Sequence, residues 1–166
     1  MSASDGPPPL RPFGLVLRRD GSFRHEGLPI TNRRLRAVFE RGVCFLPDEA
    51  KYVVVLGRFR GEIEIEEVGF FVRSVELDSG EIALSDGSRE RLDPASLRPS
   101  ELDDGWLCTV KRELVSEGLP ARFTPAAWAE LVAALEEDER GFALRIAGRL
   151  HPVPDPAATP TRPREP

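Results

Sequence analysis

Three clusters of polar side chains in this 166-residue chain could do chemistry. The first is Glu62, Glu64 and Glu66, alternating with Ile63 and Ile65. On an extended strand, alternate residues share a face at about 7 Å spacing, so three carboxylates stand in a row. Such a row suits Mg²⁺ or Ca²⁺, as a metal-assisted enzyme would need, or a basic partner. A half-buried strand with a solvated outer face gives the same pattern with no ligand. Arg58 and Arg60, just upstream, offer local charge partners.

The second cluster is Arg33, Arg34, Arg36 and Arg41. At 100° per residue they lie opposite Leu35, Val38 and Phe39, as the outer face of an amphipathic helix. That face could hold phosphate, nucleic acid or an acidic protein surface. The chain has a net charge of −5, and no stacking aromatic stands among these arginines, which argues against a dedicated nucleic-acid domain. The third cluster is His25-Glu26, a pair of types that does acid–base work when it can hydrogen-bond. Neighbours on a strand point to opposite faces, so the pair needs a sharp bend at Gly27 to meet.

Motifs for nucleophiles and cofactors are absent: there is no G-x-S-x-G, P-loop or G-x-G-x-x-G. Cys44 and Cys108 are far apart among apolar neighbours, and with only His25 and His151 to add they form no zinc pattern. Two buried free thiols of a reducing, cytoplasmic compartment is the simpler reading. No catalytic residue, metal site or cofactor is assigned. The expected function is a non-catalytic binding or regulatory module of a bacterial cytoplasm. Its contact residues are drawn from Arg33, Arg34, Arg36, His25, Glu26, Glu62, Glu64 and Glu66. The expected partner is a protein or a small anionic ligand, with a homo-oligomer left open. A metal-assisted enzyme on the Glu row and nucleic-acid or anion binding through helix 32–41 stand as alternatives.

The elements that must position these residues follow from pattern and charge. Residues 11–42 carry eight Arg against Asp20, Glu26 and Glu40, whereas the rest of the chain is acidic. No run of about 18 apolar residues exists, so no membrane-spanning helix is expected. The start has neither the basic nor the apolar region of a secretory signal. Residues 1–12 and 154–166 read as disordered Pro-rich tails. Asp20-Gly21 between apolar runs signals a type I′ hairpin turn. A helix follows over 32–41, with Thr31 as N-cap and Gly42 as a left-handed stop.

Lys51–Leu56 and Glu62–Glu67 read as a hairpin with Val54 opposite Ile63. Strands then run at 70–77, 81–84, 89–92 and 106–110, in a meander broken by Asp-Gly turns. A second helix spans 125–138, with Thr124 as cap, Pro125 in the first turn, and Trp128, Leu131, Val132 and Leu135 at helical spacing. Strands at 142–147 and 148–153 close the chain. No internal repeat is visible. Strands interrupted by two isolated helices give an α+β class, divided into an N-terminal half (13–75) and a C-terminal half (76–153).

The order of motifs resembles one bacterial family. Its elements here are Leu15, Asp20-Gly21-x-Phe23, Glu26-Gly27-x-Pro29-Ile30, the Leu35/Phe39 helix and Ile63-Glu-Ile65-Glu66-Glu67-x-x-Phe70. In the second half they are the Trp106 strand, Leu119-x-Ala121-Arg122, the Trp128/Leu131-Val132 helix and Gly148. The family is the domain of unknown function 1285. It typically reads Val-Glu-Asp-x-Pro-Phe where this chain has Ile65-Glu66-Glu67-Val68-Gly69-Phe70. The resemblance covers about 13–153 and implies two small β-rich, roll-like halves of mainly antiparallel strands, each with one amphipathic helix. It implies no activity.

Overall fold

The computed structural model describes residues 10–157, so most of the two Pro-rich tails lies outside the described residues. The chain divides into two compact units between Gly69 and Phe70. In the first, the strands are β1 (Arg11–Leu17), β2 (Phe23–His25), β3 (Leu28–Pro29), β4 (Val43–Leu46), β5 (Lys51–Leu56) and β6 (Phe59–Ile65), with α1 (Arg33–Gly42) between β3 and β4. They form one sheet in the order β3-β2-β1-β6-β5-β4. Every pairing is antiparallel except β1 with β6, which sets Leu15 beside Ile63 and Leu17 beside Ile65. Leu15, Leu17, Phe23, Val54 and Ile63 are buried on one face by this register, which fixes the core face, while Val53 is buried on the other face of β5.

The turn chemistry differs in detail from the expected one. Arg18 N–H donates to Ser22 O (2.9 Å), which leaves a three-residue loop, Arg19-Asp20-Gly21, with φ of 84° at Gly21. Asp20 Oδ1 accepts the amide (2.9 Å) and hydroxyl (2.6 Å) of Ser22, so this is a bulged loop rather than a type I′ turn. The I′ pattern sits one turn later, at Glu26 (φ 49°) and Gly27 (φ 82°), joining β2 to β3. Between β5 and β6 the loop is two residues, Gly57-Arg58, and Val54 stands opposite Gly61 instead of Ile63. A shift of two residues keeps every side chain on its face, so the apolar pattern survives.

Helix α1 starts one residue later than expected. Asn32, not Thr31, caps it: Oδ1 accepts from the amides of Arg34 (3.0 Å) and Leu35 (3.1 Å). Its buried stripe is narrower than the spacing of Leu35, Val38 and Phe39 suggests. Phe39 inserts between the rings of Phe13 and Phe23, whereas Leu35 and Val38 stay 42% and 50% exposed. Gly42 is not left-handed. A Cβ there would stand 2.6 Å from Val55 O, so the glycine allows the helix end to lie against β5.

The second unit contains β7 (Phe70–Glu76), β8 (Glu81–Leu84), β9 (Arg89–Arg91), β10 (Arg98–Pro99), β11 (Trp106–Val110) and β12 (Leu119–Phe123). A single 3-10 turn, Pro94–Ser96, joins β9 to β10. The sheet order is β10-β11-β12-β7-β8-β9, with β7 and β12 parallel and the other pairs antiparallel. This is the path of the first unit repeated strand for strand: third, second and first, then sixth, fifth and fourth. Because β7 is a central strand here, residues 70–75 belong to the second unit and not to the N-terminal half.

Helix α2 (Pro125–Ala133) follows, and then a three-stranded antiparallel sheet of β13 (Leu135–Asp138), β14 (Gly141–Ile146) and β15 (Arg149–Pro152). Thr124 Oγ1 accepts the Ala127 amide (3.3 Å), as the capping pattern requires. Trp128 stacks on Trp106, with centroids 4.9 Å apart and planes 9° from parallel. The helix stops five residues short of the expected 138. Leu135 pairs with the fully buried Leu144 instead, and the pairing overrides the helix propensity of Glu136-Glu137.

The Gly42 contact gives a direct test. Ala is the better helix former by about 1 kcal/mol, yet Gly42→Ala is expected to destabilise the protein by about 1–3 kcal/mol through overpacking on Val55 O. Urea unfolding showing equal or greater stability would remove the close-approach account.

Candidate functional site

The structure separates the residues that the sequence singles out. Glu62, Glu64 and Glu66 run along and just past β6. Glu62 meets Lys51 Nζ (3.4 Å), and Glu66 takes the Arg19 amide (2.8 Å) with Arg18 Nε at 3.6 Å. Glu64 is exposed. Arg33 and Arg34 are exposed on α1, and Arg36 is half-buried. His25 packs its ring against Phe13 (5.2 Å) at the end of β2, and Glu26 sits in the turn beyond it, its Cγ over Gly14. No hydrogen bond joins His25 to Glu26 among the described residues. Two of the three row carboxylates are thus engaged by cations, and His25 by an aromatic ring.

The second unit builds a site that the sequence did not reveal. Its edge strand β10 covers only Leu107 and Trp106 of β11, so the amides further along β11 need other acceptors. Ser96 Oγ accepts from Thr109 N (3.0 Å), and the Glu90 carboxylate accepts from Lys111 N (2.9 and 3.1 Å). Side chains from beyond the short edge strand stand in for a missing ladder.

Lys111 itself is strained, with φ of 59°. A non-glycine residue held there costs about 1–3 kcal/mol and persists only where its surroundings over-determine it. Here they do. The ammonium donates to Asp86 Oδ2 (2.7 Å) and Ser88 Oγ (2.7 Å), lies 5.0 Å from the centroid of the Phe70 ring, and its side chain is only 16% exposed. Ser88 Oγ in turn donates to Asp86 Oδ1 (2.6 Å). A hydroxyl 2.7 Å from a lysine has the geometry of a nucleophile–base pair. An ammonium held by a carboxylate has no free lone pair to act as base, so this is a latch tying the β8–β9 turn to the end of β11.

An open cleft of about 760 Å³ lies beside the latch, lined by Arg89, Glu90, Arg91, Asp93, Lys111 and Arg112, among others. Arg89 is bridged to Glu81 (2.7 Å) and Arg112 to Asp93 (2.9 Å). Arg91 is exposed and has no carboxylate partner among the described residues. The sequence signal for this strand was Arg89-Glu90-Arg91 itself, three charges in a row with no apolar face, as an exposed sheet edge tolerates.

Burial and hydrogen bonding set the titration of nearby groups in opposite senses. Burial raises the Asp86 carboxyl, but the bonds from Lys111 and Ser88 outweigh it and hold the group below its ordinary value. Burial alone dominates at Cys108, where the thiol is pushed up to about 12. A thiol so placed is no nucleophile.

Two measurements check these assignments. Lys111→Met is expected to cost about 1–3 kcal/mol at neutral pH by leaving the Asp86 carboxylate with Ser88 but without its ammonium partner. A lowered folded pKa contributes stability that is present above the unfolded value of 3.8 and lost as pH falls through the folded one. The gap between the two proteins therefore narrows in acid, and denaturant unfolding that gives a gap independent of pH would contradict the latch. With a thiol reagent, Cys44, half-exposed, reacts in the folded protein, whereas Cys108 reacts only on unfolding. Equal rates for the two thiols would refute the burial of Cys108.

No family model and no curated protein matches the chain. Among solved structures, a DUF1285 family protein from Silicibacter pomeroyi DSS-3 aligns with a TM-score of 0.60 and 17% identity, over 91% of this chain and 89% of that one. A DUF1285 family protein from Shewanella baltica OS155 aligns with a TM-score of 0.49 and 14% identity, over 72% of this chain and 91% of its own. The first likeness extends over nearly the whole chain, so the fold is that of a DUF1285 family protein, as the motif order implied.

Proposed function

We propose that the chain is a non-catalytic binding module of the bacterial cytoplasm, holding an anionic partner in the cleft beside β9. The observation that carries this reading is Arg91, an exposed cation without a carboxylate partner among the described residues, on the rim of a cleft whose wall is braced by the Lys111 latch. A strained, over-determined residue beside an open cleft is a common mark of a functional surface. The partner is a protein segment or a small anionic ligand. The cytoplasmic placement is supported by Cys44 and Cys108, neither of them in a disulfide, a state that a reducing compartment preserves. No helix among the described residues is long and apolar enough to cross a membrane.

The metal-assisted reading of the Glu row has weaker support, because Lys51 and Arg18 occupy the outer two carboxylates. A fluorescein-labelled polyglutamate peptide tests the preferred reading. Binding is expected at low salt, weaker as salt rises, and about tenfold weaker in Arg91→Glu. No binding at low salt, or equal binding by Arg91→Glu, would reject it.

A further inference from the structure

We infer that β9 is a docking edge, and that the cleft receives an extended acidic segment of a partner protein, added to the sheet as one more strand. This rests on the anionic-partner reading above and specifies how that partner is held. The backbone carries the inference. In the β8–β9 ladder, Leu84 N–H donates to Ser88 O (2.9 Å) and Leu92 N–H donates to Gly80 O (2.8 Å). Bonded and non-bonded pairs alternate along an antiparallel ladder, so Ser88, Glu90 and Leu92 turn their amides and carbonyls toward β8. Arg89 and Arg91 turn theirs outward. β9 ends its sheet, so these two donors and two acceptors have no strand beside them. They repeat at about 7 Å, the spacing an added strand needs.

Some of the other edges are blunted by proline. Proteins blunt exposed edges with short strands and prolines. β3 contains Pro29, β10 contains Pro99 and β15 contains Pro152, whereas β9, like β4 and β13, contains no proline and leaves its outward amides able to donate. Lys111, Arg112, Glu113 and Leu114 also line the cleft, and Leu114 is 44% exposed, offering apolar contact to an incoming side chain.

Charge selects the occupant. A second copy pairing antiparallel through β9 about Glu90 would set Arg89 opposite the Arg91 position, and like charges directly opposite are destabilising. The chain's own end beyond the described residues carries Arg162 and Arg164, and its prolines 160, 163 and 166 cannot donate to a ladder. An acidic strand places a carboxylate opposite Arg91, while Arg89 is already bridged to Glu81, and this is the strand-addition mode of peptide recognition.

The test uses the full chain and the labelled peptide acetyl-Glu-Val-Glu-Val-Glu-amide, followed by fluorescence anisotropy. Three probes are compared: the plain peptide, one N-methylated on the amides facing β9, and one N-methylated on the opposite set. The plain peptide and the oppositely methylated one are expected to bind alike, and the first methylated peptide about tenfold more weakly. Arg91→Pro removes an outward amide that β8 does not use, so the fold should persist in circular dichroism while peptide binding falls by a similar factor. If that variant fails to fold, the methylated pair decides alone. Equal binding of all three peptides overturns strand addition but leaves the anionic-partner reading intact; loss of polyglutamate binding as well removes both. A dimer of the chain abolished by Arg91→Glu would replace the acidic partner with a second copy. Tighter binding of a single-stranded RNA than of the peptide would replace it with nucleic acid.

Discussion

Each unit depends on one parallel pairing between its first and last long strands, β1 with β6 and β7 with β12. Parallel neighbours cannot be joined by a tight turn, so every other strand of the unit is held in the connection between them. The closure entropy of that connection opposes folding until the parallel ladder and its buried residues form. Leu15 and Leu17 meet Ile63 and Ile65 there in the first unit, and Phe70 and Val72 meet Ala121 and Phe123 in the second. With the long strands at the centre, the short ones are left for the edges. The cleft forms at such an edge.

The two units share this path and diverge in the connection between third and fourth strands. Both connections open with an Asx cap: Asn32 accepts two amides at the start of α1, and Asp93 accepts the Ala95 amide at the 3-10 turn. In the first unit the connection is a ten-residue helix lying on β5. In the second it is three residues beside β11, the strand equivalent to β5. Without a helix of that length, the second unit relies on Ser96 and Glu90 to accept the amides of Thr109 and Lys111. It places its helix after β12 instead, where Trp128 covers Trp106.

What the sequence revealed was what lies within a few residues. The Thr124-Pro125 start of α2, the Asp-Gly loops and most strands are encoded in capping and turn chemistry, and the structure keeps them. The α+β class and the two β-rich halves were legible for the same reason. The failures are long-range. Residues 135–138 carry helix-forming glutamates, and only Leu144 on a later strand makes them a strand. The strand-for-strand repeat leaves no trace in residue identity, because a sheet path constrains burial and not side-chain type. The residues chosen for function, His25 and the Glu and Arg rows, stood out by local density of charge. Lys111 did not, because its four partners, Asp86, Ser88, Glu90 and Phe70, come from other strands and turns.

The charge pattern of β9 then has a single geometric explanation. Side chains alternate across a strand with period two. Glu90 therefore leaves the strand on one face, where it accepts the Lys111 amide, and Arg89 and Arg91 leave on the other. Three consecutive charged residues, which have no place in a buried strand, are what an edge needs if it is to be fastened on one side and kept soluble on the other. The latch fixes where that edge stands: Lys111 holds the β8–β9 turn through Asp86 and Ser88 while its amide holds Glu90. An edge held in advance loses little further freedom when something binds along it, and pre-organisation of this kind lowers the cost of binding. The strain at Lys111 and the open cleft are in this sense one feature, since relaxing the first would free the wall of the second.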